Sequence, residues 1–451
     1  MAILSSSEAE AILKKVLSFS KADELEATLQ GGRTAYTRFG VNTVSTSGDT
    51  DNLSLVVNAH FGQKSGVATT NTLDDQSLER VVRAAEEIAR LRPEDPEQQP
   101  FLEKQTYAPF DAAFDDATYN ADAQIRARAV ATSIDPAKAK NLVAAGIIDH
   151  TGNFSSRANT KGNFGYFKRT NASFTTTVRS LDELGKTGSG WATAISHRIG
   201  DINAEAVSTR AIEKAELSRN PVLLEPGNYT VILEPNAVGD LVTFMMGFFG
   251  ARQADEGRSF LSKKGGGNRL GEKLYGDGVN IYSDPMLSIA PGAPYDGQGL
   301  QTKRLDYVRA GVVSNLNYGR YWARKMNKEP TPGASNMIMD GGKTSIEEMI
   351  KGTERGILVT RFWYIRLVDP QTVLLTGLTR DGTFLIEQGR LKSAIKNFRF
   401  NETPVKMLNN IEAMSPSERI TGSERFGAGS PVLAPALKVR DFSFTSLSDA
   451  V

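Results

Sequence analysis

The imidazole complement of this chain is small: His60, His150 and His197 are its three histidines. A zinc site needs three or four His, Cys, Asp or Glu groups brought together. No two of these histidines are three to five residues apart, so each reads as a separate strand or turn histidine. Cysteine is absent. That excludes disulfides, thiolate zinc sites, cysteine-ligated iron–sulfur clusters and cysteine nucleophiles. Serine chemistry lacks its usual frame, because there is no G-x-S-x-G elbow. Gly185-Lys186-Thr187-Gly188 contains a K-T-G string without a companion S-D-N, and it reads as a hairpin turn. Ser262-Lys263-Lys264 reads as a solvated loop rather than a Ser–Lys dyad. Lys264-Gly265-Gly266-Gly267-Asn268-Arg269 is rich in glycine but lacks the G-K-[ST] of a phosphate loop. Its glycines would instead let a loop over a chamber move.

Two groups of residues suit binding rather than bond breaking. Arg252, Arg258, Lys263 and Arg269 fall in a polar segment just after a strongly apolar helix. Arg361 and Trp363 share one face of a strand pattern, with Phe362 and Tyr364 on the other. Both groups are candidates for peptide binding or subunit contact. Aromatic and arginine clusters also bind single-stranded nucleic acid. A net charge of +1, however, supplies no global field toward nucleic acid or an anionic membrane.

The element that must position the first group runs through residues 234–257. Tyr229–Leu233 has the β-branched and aromatic character of a strand. Pro235 ends it and suits the first turn of a helix. From Ala237 to Phe249 almost every residue is apolar, so this helix is expected to be buried on all sides, with its far end at a cleft. It is too short to span a bilayer.

The rest of the chain reads as α+β. Ser5 and Glu8 match a capping box opening a helix. Strands are expected at 23–29, 42–47, 52–61 and 65–70, with Gly48-Asp49-Thr50-Asp51 as a separator, and an amphipathic helix at 74–91. Four prolines (Pro93, Pro96, Pro100 and Pro109) mark a connector. A helix at 120–132 leads to a meander of short strands between 140 and 196, with turns at Asp149-His150-Thr151-Gly152 and at Asn159-Thr160-Lys161-Gly162. A further helix covers 201–219. The C-terminal half is β-rich, with Arg380-Asp381-Gly382-Thr383 as a hairpin turn. The long irregular tract at 262–301 is expected to be functional, since such tracts are uncommon in compact domains. Three parts follow: a small N-terminal α/β sandwich unit at 1–110, a middle β-meander and helix region at 111–220, and a β-rich C-terminal domain around a buried central helix at 221–451. The first residues carry no signal-peptide pattern, which fits a cytoplasmic protein.

Several of these stretches resemble the TldD/PmbA metallopeptidase family across nearly the whole chain. They are TRFGVNTVSTSGD near the start, the strand–proline–apolar-helix layout at 229–249, and ERGILVTRFWYIRLVDPQT followed by LTGLTRDGTFLIEQGRLKSAIKNFRFN. The resemblance implies that metal-bearing members of the family carry a His-Glu-x-x-x-His helix at the central position. With Pro235, Gly239 and Gly247 aligned, its first His falls on Thr243, its Glu on Phe244 and its second His on Phe248. The cysteine that completes that site is also absent. The chain is therefore similar to the TldE- or PmbA-like members, with a degenerate site and no catalytic residue or cofactor of its own. What the resemblance implies is a dimer enclosing a chamber for an extended peptide, with zinc on a metal-bearing TldD-like paralogue. A homodimer that only binds peptide, and a peptidase with a displaced site, are the alternatives.

Overall fold

The computed structural model describes residues 3–108, 110–180, 187–422 and 430–448. Pro109 of the connector and Gly185-Lys186 of the K-T-G string lie outside the described residues.

The first half of the chain builds one long antiparallel sheet. Its strands are β1 (Glu24–Gly40), β2 (Thr43–Phe61), β3 (Lys64–Thr70), β4 (Leu142–Asn159), β5 (Phe164–Ser180) and β6 (Ser189–Ser196). The spatial order is β3-β2-β1-β4-β5-β6. β1 pairs with β4 from Glu26–Asn159 to Phe39–Gly146, so residues on both sides of position 110 share one sheet. Two expected turns are absent. Gly48–Asp51 pairs with Arg33–Tyr36 inside β2, and Asp149–Gly152 pairs with Thr170–Ser173 inside β4. The second expected turn of the meander, at Asn159–Gly162, does separate β4 from β5.

Strand alternation divides this sheet into an apolar and a polar face. Leu25, Ala27, Leu29, Leu55, Val57 and Phe154 are buried against α1 (Ser6–Ser18) and α2 (Asp75–Leu91). α1 opens with the expected capping box between Ser5 and Glu8. Past the short helix α3 (Asp116–Tyr119), α4 (Ala123–Ala139) and α5 (Ala204–Leu217) cover Leu142, Ala144, Ile148, Phe174 and Val178. The opposite face carries Asp149, Thr151, Asn153, Ser155 and Arg157 on β4, and Arg169, Asn171 and Ser173 on β5.

The second half of the chain is a strand barrel with an attached sheet. β7 (Gly227–Leu233) leads into the apolar helix α6 (Pro235–Met246), followed by the short α7 (Ala251–Asp255). The attached sheet has the order β10-β9-β8-β11-β18-β17. Its strands are β8 (Ile281–Ser283), β9 (Leu305–Arg309), β10 (Val312–Val313), β11 (Met337–Met339), β17 (Glu418–Ile420) and β18 (Val432–Ala434). The barrel uses β7 with β12 (Arg355–Asp369), β13 (Leu374–Glu387), β15 (Phe398–Glu402) and β19 (Leu437–Leu447), while β14 (Arg390–Ala394) and β16 (Ile411–Met414) extend it. Pairing runs β12-β7-β19-β15-β13 and closes by β13 returning to β12. Closure leaves none of these five strands with a bare edge. Phe362, Phe398, Phe400, Phe442 and Phe444 pack against one another, with ring centroids 4.4 Å apart for Phe362–Phe400 and 4.8 Å for Phe398–Phe444.

Arg380–Thr383 is not a hairpin turn. β13 runs straight through it, and the turn between β12 and β13 lies at residues 370–373. Asp381 (φ 54°) and Gly382 (φ 127°) instead form a bulge, where the register against β12 shifts between Val359 and Arg361. A bulge re-aims a side chain, and here it turns the Asp381 carboxylate toward Arg361 and toward Ser189 of β6.

Candidate functional site

The polar face of the N-terminal sheet and the C-terminal half enclose connected cavities. One, of about 710 Å³, lies between Gln30, Asn52, Asn153, Ser155, Arg157 and Arg169 on the sheet and residues 293–297 and 333–335 opposite. A second, of about 390 Å³, shares Asn52, Asn153, Arg169 and Ser430 with the first and reaches Asp240 and Thr243 on α6. A third, of about 360 Å³, is bordered by every residue from Trp191 to Ser196. A strand seen face-on would offer alternate residues; β6 meets this cavity along its edge. Three bonds fasten the roof across the first cavity: Arg157 Nη1 donates to Asp296 O at 3.0 Å, Tyr295 Oη to Ser155 O at 2.7 Å, and Tyr107 Oη to Gly299 O at 2.6 Å.

α6 is not buried on all sides. Val238, Leu241, Val242 and Met245 are in the core, while Thr243 is only half-buried and lines the second cavity beside Asp240. The close seat of this helix depends on Gly239, where a Cβ would lie 2.0 Å from Ile420 Cδ1. Zinc does not fit the donors that α6 supplies. The Thr243 hydroxyl donates to Gly239 O at 2.6 Å. Phe244 is buried and Phe248 is packed against the same core; neither offers a lone pair. Among the described residues no three His, Asp or Glu side chains converge as a metal site would require.

The histidines are dispersed, as their spacing implies. His60 stacks on Phe101 with 4.0 Å between centroids and has Nε2 2.9 Å from Gln98. His150 lies on the helix-covered face, with Nε2 3.0 Å from Arg126 Nη1. Burial, then the Arg126 charge, pulls its pKa down to about 4. His197 lines the second of these cavities, the one that Thr243 also lines.

The cations singled out in the sequence are occupied with neighbouring carboxylates. Arg252 grips Glu97 through both terminal nitrogens (2.7 and 2.9 Å) and Glu256 through Nε at 3.0 Å, tying the connector to α7. Arg258 pairs with Glu256, and Lys263 with Glu272 at 2.9 Å. Arg269 lies 3.9 Å from Glu272. Residues 262–269 line none of the three cavities. The part of the irregular tract that does so lies within 289–297. Arg361 is buried rather than solvent-facing. Its guanidinium pairs with Asp381, lies 4.6 Å from the Trp191 ring and 5.2 Å from that of Trp363, and so joins the barrel to β6. Burial alone would raise the Asp381 carboxyl; Arg361 and the Ser189 hydroxyl, 2.5 Å away, hold it below the ordinary carboxylate range.

Sequence reasoning missed the two arginines of the second cavity, Arg169 on β5 and Arg419 on β17. The available signal was period-two polarity: Arg169, Asn171 and Ser173 alternate with residues turned to the other face. Once that face is known to be polar, the strand reads as a cavity wall.

Comparison with known proteins agrees with this architecture. Residues 226–446 match the PmbA/TldA metallopeptidase C-terminal domain. Metalloprotease PmbA of Escherichia coli O157:H7 is 23% identical over 94% of this chain and 93% of its own. A Metalloprotease PmbA homolog of Buchnera aphidicola is 27% identical, but the match spans only a third of either chain, 33% of each. The crystal structure of TldE from Thermococcus kodakarensis superimposes with a TM-score of 0.85 over 97% of this chain and 99% of that one, at 18% identity, which shows a shared fold. From the closed barrel, the strand–proline–helix core and these matches together, the chain belongs to the TldD/PmbA family.

Proposed function

We propose that this chain is the subunit without metal in a heteromeric zinc metallopeptidase, completing a chamber and holding an extended peptide for a metal-bearing TldD-like partner in the cytoplasm. The observation that carries the reading is α6. It sits intact in the family scaffold and turns Thr243 and Asp240 to a cavity, yet Thr243, Phe244 and Phe248 stand where the resemblance places His, Glu and His. Support for peptide holding comes from β6. Its edge borders a cavity along six consecutive residues, and main-chain donors and acceptors on a sheet edge can add an extended peptide as a further strand. The polar sheet face beside it supplies hydroxyl, amide and guanidinium groups to peptide side chains.

The test is native mass spectrometry of the complex isolated from its source organism, reading subunit composition and metal together. The expected result is a heterodimer with one zinc ion assigned to the second subunit. A metal-free homodimer would overturn the subunit role and make peptide affinity alone the activity to measure. Chelator-sensitive peptide hydrolysis by the purified chain would overturn it as well.

A further inference from the structure

We infer that the cavity beside Thr243 contains a carboxylate-binding subsite formed by Arg169, Arg419 and His197. The inference deepens the peptide-holding reading, on which its choice of ligand rests.

Three separate elements bring these groups together: β5, β17 and the residue following β6. Among the described residues, none of the three is neutralised by an ion pair. The Arg169 side chain makes no hydrogen bond or ion pair to any described residue. Arg419 donates from Nη2 to Asn171 Oδ1 at 3.2 Å, while its Nε and Nη1 are buried without a partner. His197 is 5% exposed, and neither ring nitrogen has a hydrogen-bond partner. Burial lowers the pKa of both arginines; for Arg419, burial and then the nearby Arg169 charge bring it down to about 10, which leaves it a cation at neutral pH. Two desolvated, like-charged guanidinium groups side by side are costly unless an anion joins them. The planar fork of a guanidinium matches a carboxylate with two parallel N–H···O bonds.

Among the described residues, the acidic neighbours do not supply that anion; Asp115, whose charge also reaches His197, accepts from the Thr118 main chain and hydroxyl. Asp201 accepts from Ser196 Oγ at 2.7 Å, and its charge acts on Arg419 and His197 without forming an ion pair. Asp149 accepts from Ser173, and burial pushes its carboxyl up toward the neutral form. Asp240, on α6 across the cavity, has an interaction partner already. The position also fits a peptide. Ile195 and Arg419 line both this cavity and the one along the β6 edge, so a strand added to β6 would lead toward His197. The carboxylate could be a chain terminus or an Asp or Glu side chain, and the experiment separates these sources.

The full-length chain would be titrated with glutarate and followed by histidine-selective NMR. The expected result is a saturable shift of the His197 ring signals, with those of His60 and His150 unmoved, and at least a tenfold loss of affinity in each of Arg169→Met and Arg419→Met. Since both variants remove an unpaired cation, their melting temperatures should not fall. Absence of a saturable His197 shift, or tighter binding of inorganic phosphate than of glutarate, would overturn the subsite. Extended peptides with a free or amidated C terminus, and with Glu or Gln inside, form the second arm. A tenfold preference for one carboxylate names the source. Equal affinity for all of them would overturn the subsite while leaving peptide holding intact. Glutarate binding without any peptide binding would leave the subsite standing and sink the peptide-holding reading.

Discussion

Replacing Asp381 by Asn should be among the most damaging single-atom-scale changes in this protein. The Asp381 side chain is fully buried and Arg361 nearly so, and their pair also accepts the Ser189 hydroxyl from the neighbouring sheet. Asn keeps the shape and tolerates the left-handed φ of 54°, so Asp381→Asn isolates the charge. It leaves Arg361 buried without its counter-ion, which costs about 3 kcal/mol. Asp381→Ala removes the acceptor altogether and adds about 1 kcal/mol of backbone strain from a Cβ without local hydrogen bonding at positive φ. The assay is urea unfolding read by tryptophan fluorescence, since Trp191 and Trp363 both flank the Arg361 guanidinium. If the damage comes from the stranded cation, Arg361→Met in the Asp381→Asn background should recover about 2 kcal/mol. Asp381 is held below the ordinary carboxylate pKa. Its contribution is therefore present above the ordinary carboxylate pKa and is lost as pH falls through the folded value. A loss below about 1 kcal/mol for Asp381→Asn, or no recovery in the double variant, would refute the reasoning.

Three further outcomes can be checked. A Cβ on Gly190 would lie 2.2 Å from Ala211 O and 2.4 Å from Ala215 N, so Gly190→Ala should force α5 off β6 and cost about 2 kcal/mol; an unchanged melting curve and unchanged amide exchange in α5 would count against this packing. His150 is held neutral, with its pKa lowered from 6.5 to about 4. The unfolded chain binds that proton first, so stability is full above about pH 6.5 and falls by about 3 kcal/mol toward pH 4; urea midpoints of His150→Gln across that range should show a shallower decline than the wild type. The triple change Thr243→His, Phe244→Glu, Phe248→His should not create a zinc site. Phe244 is 7% exposed within the apolar core, and a carboxylate there costs about 3 kcal/mol or more. One zinc per chain by elemental analysis, with stability retained, would refute this.

What the sequence disclosed depended on whether one face of an element was apolar. The helices at 6–18, 75–91 and 235–246 carry such a face, and their positions were legible from it. β2 and β4 were cut in two because Gly48–Asp51 is largely solvent-facing and every second residue of Asp149–Gly152 faces a polar-lined cavity, so neither shows an apolar stripe. Asp381-Gly382 has turn chemistry because a bulge, like a hairpin turn, needs positive φ. Composition alone does not separate the two. The candidate site was the least legible part. Arg252, Arg258, Lys263 and Arg269 looked available, yet acidic groups near them in space claim them, two of them only a few residues away. Arg169, His197 and Arg419 come from positions up to 250 residues apart, and only the packing of β17, in the attached sheet, against the N-terminal sheet joins them.

The roof of the large cavity is fastened by main-chain carbonyls: those of Asp296, Gly299 and Ser155 accept the three bonds that hold it. Attachment therefore does not depend on which side chains the roof displays at its remaining positions. Gly297 faces the cavity and has open space where a Cβ would stand. Descendants of this sequence can change what the chamber wall presents there without loosening its anchorage, so ligand preference can drift across generations while the architecture stays fixed.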